Sequence, residues 1–217
     1  MIEDVRKKLF ALTDEDFKAF NEKLVPGTGE TIGVRVPKVR DLARELAKED
    51  AEGFLNEMEA ADGDGFYQEE LMLQGMVIGY AKLSLEERFR RLDAWVPRIN
   101  SWAVCDCGNS TLKFMKKYPE ECFAYVCKYL ESEREYEVRF AVVTLMEYFV
   151  TEEYIDRLLE IYRKISHEGY IGVAKQLSER FGCEYVAITL RGSISATDNK
   201  WAGMLYKDGQ ACFSPEY

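Results

Sequence analysis

The strongest constraint on this chain is a rhythm. From residue 1 to about 171, apolar residues recur at three- and four-residue spacing in stretches closed by short polar breaks. Val5, Leu9 and Leu12, and then Phe17, Phe20 and Leu24, fall at helical spacing, with Thr13-Asp14-Glu15-Asp16 as a break and N-cap between them. Pro26-Gly27-Thr28-Gly29 reads as a loop. Val36-Pro37 opens a helix through Leu42, Ala43 and Leu46, since proline is tolerated in a first turn. Ala60 to Gly65 reads as a second loop, and Phe66 to Ala81 is apolar on most sides, as an inner helix of a stacked array must be. Ser84-Leu85-Glu86-Glu87 is a capping-box pattern that starts a helix through Trp95. Further helices are predicted near 101–117, 119–130, 134–149 and 152–166. The succession predicts a mainly α chain, a HEAT-like α-solenoid of paired antiparallel helices, although no strict period repeats.

The character changes after Ser166-His167-Glu168-Gly169-Tyr170. One more helix is predicted from about Gly172 to Phe181. Tyr185 to Leu190, Trp201 to Tyr206, the turn Lys207-Asp208-Gly209-Gln210 and Ala211-Cys212-Phe213 then read as strands and a hairpin. The expected organisation is therefore a helical domain over 1–171 and a short α/β fragment over 172–217.

Composition removes several functional classes. No apolar run reaches 18 residues, so no membrane-spanning helix is expected, and the acidic start Met1-Ile2-Glu3-Asp4 is unlike a signal peptide. A cytoplasmic protein is the expectation. The six cysteines (Cys105, Cys107, Cys122, Cys127, Cys183, Cys212) lack zinc-site spacing and His167 is the one histidine, so no metal and no cofactor are expected. A net charge of −10 argues against broad nucleic-acid binding by bulk electrostatics. Two local clusters run the other way: Arg35, Lys38, Arg40 and Arg44, and then Lys113, Lys116 and Lys117. Either cluster suits phosphates, and either also reads as a solvated helix face.

Chemistry concentrates in Ser101-Trp102-Ala103-Val104-Cys105-Asp106 and in Arg139, which lies 33 residues beyond Asp106. On a helix, Trp102 and Asp106 share one face. An indole, a carboxylate and a guanidinium converging on one groove suit a cationic nucleotide lesion. The same residues also read as a helix start and an ordinary ion pair, with Arg139 held by Glu135 or Glu137.

Several long segments carry a resemblance. They are Phe20-Asn21-x-Lys23-Leu24-Val25-Pro26, then Ile32-Gly33-Val34-Arg35-Val36-Pro37-x-x-Arg40-x-Leu42-Ala43, then Tyr67-x-Glu69-Glu70 leading into Gln74-Gly75-x-Val77-Ile78-Gly79-Tyr80, followed by the Trp102/Asp106 and Arg139 segments. In this order they resemble the AlkD-like DNA alkylation repair family of HEAT-like DNA glycosylases. The resemblance implies excision of N3- or N7-alkylated purines from duplex DNA by a monomeric enzyme. It implies that Asp106 stabilises an oxocarbenium-like sugar, that Trp102 lies against the deoxyribose, and that Arg139 grips a backbone phosphate. Arg35, Lys38, Arg40 and Lys113 are weaker candidates for further phosphate contacts. The alternative expectation is a non-catalytic HEAT-like scaffold that binds DNA or protein.

The resemblance also implies a later helix carrying a second tryptophan, whose place is taken here by Ile171-Gly172-Val173-Ala174-Lys175-Gln176. Tyr185 to Ser195 and Trp201 to Tyr206 instead resemble an internal piece of a ribokinase-type sugar kinase, most like 2-keto-3-deoxygluconate kinases. That family's Gly-x-Gly-Asp motif is absent, so kinase activity is not expected. A fusion with its seam near residues 168–174 is.

Overall fold

Most helices form where the apolar rhythm predicts them, and a further one, Ala51–Ala60, lies where none is predicted. The computed structural model describes residues 1–24, 29–61, 65–193 and 199–215. The Pro26–Gly29 loop (Gly29 apart), the middle of the Ala60–Gly65 loop, and residues 194 and 195 of the kinase-like segment lie outside the described residues. Two units result, Met1–Thr151 and Glu152–Tyr217.

In the first unit, α1 (Ile2–Phe10) and α2 (Glu15–Leu24) are separated at the predicted break, where the Asp14 carboxylate accepts from the Phe17 amide at 2.9 Å. Next come α3 (Val36–Glu49), α4 (Ala51–Ala60), α5 (Gln68–Tyr80) and α6 (Leu85–Trp95). α7 (Trp102–Asn109), α8 (Pro119–Cys127) and α9 (Glu135–Tyr148) complete the unit. α3, α5, α7 and α9 pack side by side in that order, and α4, α6 and α8 back them as a second layer. α5 is the hub and is buried from Gln68 to Ile78, as its apolar surround predicts.

Polar groups at the start of α5 fix the loops on either side of it. The buried Glu69 carboxylate accepts from the Thr31 hydroxyl and from the amides of Ile32, Gly33 and Val34, at 2.8–3.1 Å. Four donors of the loop entering α3 are thereby satisfied inside the protein. Gln68 donates from Nε2 to the Gly29 carbonyl and accepts from the Ser101 hydroxyl at 3.2 Å, which joins that loop to the start of α7.

The close approach of α5 to α7 is built around Trp95. Its indole is fully buried and donates to the Leu71 carbonyl at 2.8 Å. A Cβ on Gly75 would lie 2.4 Å from Cζ2 of that indole, and one on Gly108 2.3 Å from its Cη2. Only glycine fits at these two positions.

Three expectations are corrected. The helix predicted over 101–117 ends at Asn109 and resumes as a 3₁₀ turn at Lys113–Lys117. The Ser110 hydroxyl donates to the Cys107 carbonyl, the Thr111 hydroxyl to that of Gly108, and the Tyr148 hydroxyl to that of Asn109. Side chains thus take the carbonyls that another helical turn would have used. Similarly, the helix over 119–130 stops at Cys127 and tightens into a 3₁₀ turn, Lys128–Glu131. Finally, the helices predicted at 152–166 and 172–181 are one, α10 (Ile155–Phe181). Gly169 and Gly172 cost about 1 kcal/mol each in a helix but do not end one.

In the second unit α10 covers an antiparallel sheet of β1 (Val186–Ser193), β2 (Asn199–Lys207) and β3 (Gln210–Phe213), in the order β1-β2-β3. Ala174 of α10 joins Val186, Met204 and Tyr206 in a small core, with Tyr170 and Ile171 packed against it. That packing draws α10 to the sheet, and the two compact units meet at Thr151/Glu152. The hairpin turns at Asp208-Gly209, both at positive φ (48° and 80°), as its sequence predicts.

Candidate functional site

α7 is short, and both of its ends are held by buried polar groups. At its start the Ser101 hydroxyl, fully buried, accepts from the Val104 amide at 3.2 Å while donating to Gln68. At its end buried Asn109 donates to the Phe140 carbonyl and accepts from the Thr144 hydroxyl at 3.2 Å, both on α9. Ala103, Val104, Cys105 and Gly108 face inward. The opposite face carries Trp102, 39% exposed, and Asp106 one turn later.

α9 delivers Arg139 to this face. Its Nη2 lies 2.8 Å from Oδ2 and 3.0 Å from Oδ1 of Asp106, and Nε lies 3.3 Å from Oδ1. The pair is bidentate and open to water, with side chains 37% and 38% exposed. Burial opposes the charge on Arg139, but Asp106 outweighs it and raises the arginine further. The carboxylate that holds Arg139 is therefore neither Glu135 nor Glu137; Glu137 instead pairs with Arg134 at 2.8 Å.

The thiols flanking Asp106 are disfavoured as thiolates. Burial, reinforced by Asp106, pushes Cys105 up to about 12 and Cys107 up to about 11, against Arg139 and Arg40 respectively. Partial burial also raises the carboxyl of Glu147 on α9; Lys116 opposes that shift, Asp106 adds to it, and Tyr148 and Arg40 oppose it.

The basic candidates divide. Arg40 on α3 reaches the site's helix, donating from Nη1 to the Tyr80 hydroxyl at 3.0 Å and from Nη2 to the Ser110 hydroxyl at 3.1 Å. Arg35 is exposed and paired with Asp14 at 2.7 Å. Lys38 lines a surface cleft with Lys8, Leu12 and Glu45, and Trp102, Asp106 and Arg139 are not among its lining residues. Lys113 stands exposed in the 3₁₀ turn after α7. Sequence reasoning missed Tyr80, Ser110 and Glu147. Ser110 carried a usable signal, since it continues the Trp102–Asp106 stripe at the same four-residue step.

An open indole beside a carboxylate suits a flat apolar ring that bears or develops positive charge, and a guanidinium fork suits a phosphate. Among the described residues no three His, Cys, Asp or Glu side chains converge as a metal ion would need, and no helix is long and apolar enough to cross a membrane.

The family described as DNA alkylation repair enzyme matches residues 5–169. No curated protein and no solved structure matches the chain. No family match covers the segment after residue 169, and the expected likeness to a sugar kinase finds no support there.

Proposed function

The chain belongs to the DNA alkylation repair enzyme family, and from that premise we propose that it is a glycosylase releasing N3- or N7-alkylated purines from duplex DNA. The observation that carries this reading is the exposed Trp102–Asp106 face with the Arg139 fork upon it. Alkylation at these nitrogens makes the base a cation and weakens its glycosidic bond. The bond breaks with its electron pair leaving on the base, and the sugar becomes oxocarbenium-like. Asp106 stabilises that cation and takes the proton of the water that adds to it, leaving an abasic site and a free base. Trp102 lies against the deoxyribose, where its ring gains attraction as positive charge develops.

Arg139 links binding to chemistry. While it is paired, the carboxylate of Asp106 is turned to the guanidinium and is of little use to another cation. A backbone phosphate competes for the same fork, and an exposed ion pair contributes only about 0–1 kcal/mol, so the exchange is cheap. Phosphate engagement then frees Asp106 beside the sugar. The reaction uses an open face and needs no base flipped into a tight pocket. Arg35, Lys38, Arg40 and Lys113 supply further backbone attraction. The protein acts as a monomer without a cofactor, and residues from about 172 onward are an added segment that lacks the second tryptophan of the resemblance.

Base release from a duplex carrying N7-methylguanine or N3-methyladenine tests the reading. Asp106→Asn is expected to lower release at least a hundredfold with DNA affinity nearly unchanged. DNA binding by the wild-type chain without any release would sink the enzyme reading in favour of a scaffold. The ion pair that ties Asp106 to Arg139 is the observation favouring that alternative.

A further inference from the structure

Arg40 differs from its basic neighbours in what holds it. Arg35 is paired with Asp14, Arg44 with Asp41 and Arg139 with Asp106, each within 3.0 Å. Among the described residues no carboxylate lies within 4.0 Å of Arg40. Its fork is spread over two neutral hydroxyls, those of Tyr80 on α5 and Ser110 after α7. The Ser110 proton is committed to the Cys107 carbonyl at 2.8 Å, so its lone pairs are turned to the guanidinium. Tyr80 is steadied in turn by Arg44, whose guanidinium carbon stands 5.4 Å from the ring centroid. A half-buried cation is thus oriented by groups that do not neutralise it. Glu147 senses its charge from beyond ion-pair distance, with Lys116 opposing Glu147 more strongly.

We propose that Arg40, with Tyr80 and Ser110 as positioning residues, forms a ready-made site for one backbone phosphodiester, set one helical turn beyond Asp106 on the same face. The proposal rests on the DNA-binding reading above. Four residues of helix rise about 6 Å, less than two nucleotide steps of about 3.4 Å each. A strand whose deoxyribose lies at Trp102 and Asp106 therefore has a neighbouring phosphate within reach of Arg40. Arg139 must first surrender Asp106 to bind a phosphate, whereas Arg40 has no carboxylate to give up and keeps its hydroxyl partners. Arg40 accordingly docks the backbone first, and Arg139 follows.

Equilibrium binding to an unmodified 20-base-pair duplex across a salt series tests this. Arg40→Ala is expected to reduce the slope of log affinity against log salt by about one. The double variant Tyr80→Phe with Ser110→Ala keeps every charge, so a role in charge alone would leave affinity intact. The expected result is a loss of about fivefold, restored in part when Ser110→Thr replaces Ser110→Ala. An unchanged slope in Arg40→Ala, or unchanged affinity in the double variant, overturns the proposal. If Arg40→Ala fails to fold, the charge-preserving double variant decides. Loss of slope in Arg139→Ala without any effect at Arg40, Tyr80 or Ser110 leaves the DNA reading standing and removes this site. A wild-type chain with no measurable affinity for the duplex overturns both.

Discussion

A surface arginine–carboxylate pair is worth so little that Asp106 and Arg139 are better understood as exchangeable partners than as a structural tie. Replacing Arg139 with alanine should accordingly change stability by less than about 1 kcal/mol. The same replacement is expected to weaken DNA binding about tenfold and to reduce the salt slope by about one. Arg139→Lys keeps the charge without the fork, and should recover the slope but only part of the affinity. A salt series on the three proteins checks this, and an unchanged slope in Arg139→Ala would remove Arg139 from the backbone. Trp102 and Asp106 were legible in the sequence because four-residue spacing is a property of any helix. The partner of Arg139 was not: nearby Glu135 and Glu137 are on its own helix, while Asp106 is brought to it only by the packing of α7 on α9. Arg40 was visible as a cation and invisible as a held one, since its hydroxyl partners lie 40 and 70 residues away in sequence.

Among the elements, α7 decides the site, and glycine decides α7. With Gly75 and Gly108 pressed on the two sides of one indole, a single methyl group at Gly108 must push α7 off Trp95. Gly108→Ala should cost about 1–3 kcal/mol, seen as a lower urea midpoint, and base release should fall because Asp106 and Trp102 move with the helix. A variant as stable as wild type would show that α7 has room to shift. Most helices were predictable because they carry a one-sided apolar stripe or an N-cap, as at Asp14 and Ser84. The ends were less so. α7 closes at Asn109 because the hydroxyls of Ser110, Thr111 and distant Tyr148 bond the carbonyls of Cys107, Gly108 and Asn109 respectively, and the last of these no local pattern announces. The helix break expected between 166 and 172 is missing for the opposite reason: Tyr170, Ile171 and Ala174 have an apolar sheet to cover, and that packing keeps α10 continuous through its glycines.

For the molecule as a whole, charge is the property most open to test. A net −10 repels DNA at long range, so binding must come from local cations and should weaken steeply with salt. The acidic groups also set the response to pH. Arg90 first, and then Arg91, holds Glu87 down at about 2. The Phe17 amide and Arg35 lower Asp14, the Ile2 amide and the N-terminus lower Glu57, and Lys128, Tyr129 and Tyr125 lower Asp93 against its burial. Each depressed group stabilises the fold above its unfolded value, near 4, and loses that contribution as pH falls through its folded value. Glu147, raised by partial burial, contributes the reverse. Thermal scans should therefore show Tm falling from about pH 4 and still falling near 2, where Glu87 finally protonates. Glu87→Gln should lie below wild type at neutral pH and converge with it near pH 2; a constant gap would mean that Glu87 acts by packing.

The contrast between Trp95 and Trp102 has an optical consequence. One indole is sealed between two helices and the other is open to solvent, so once Trp201 is replaced by phenylalanine the chain carries two indoles that answer different questions. Iodide quenches only the open one, and stacking against a sugar dims it, while the sealed one keeps its blue emission until the helices part. A single emission spectrum then follows substrate docking and unfolding as separate signals, with no label attached.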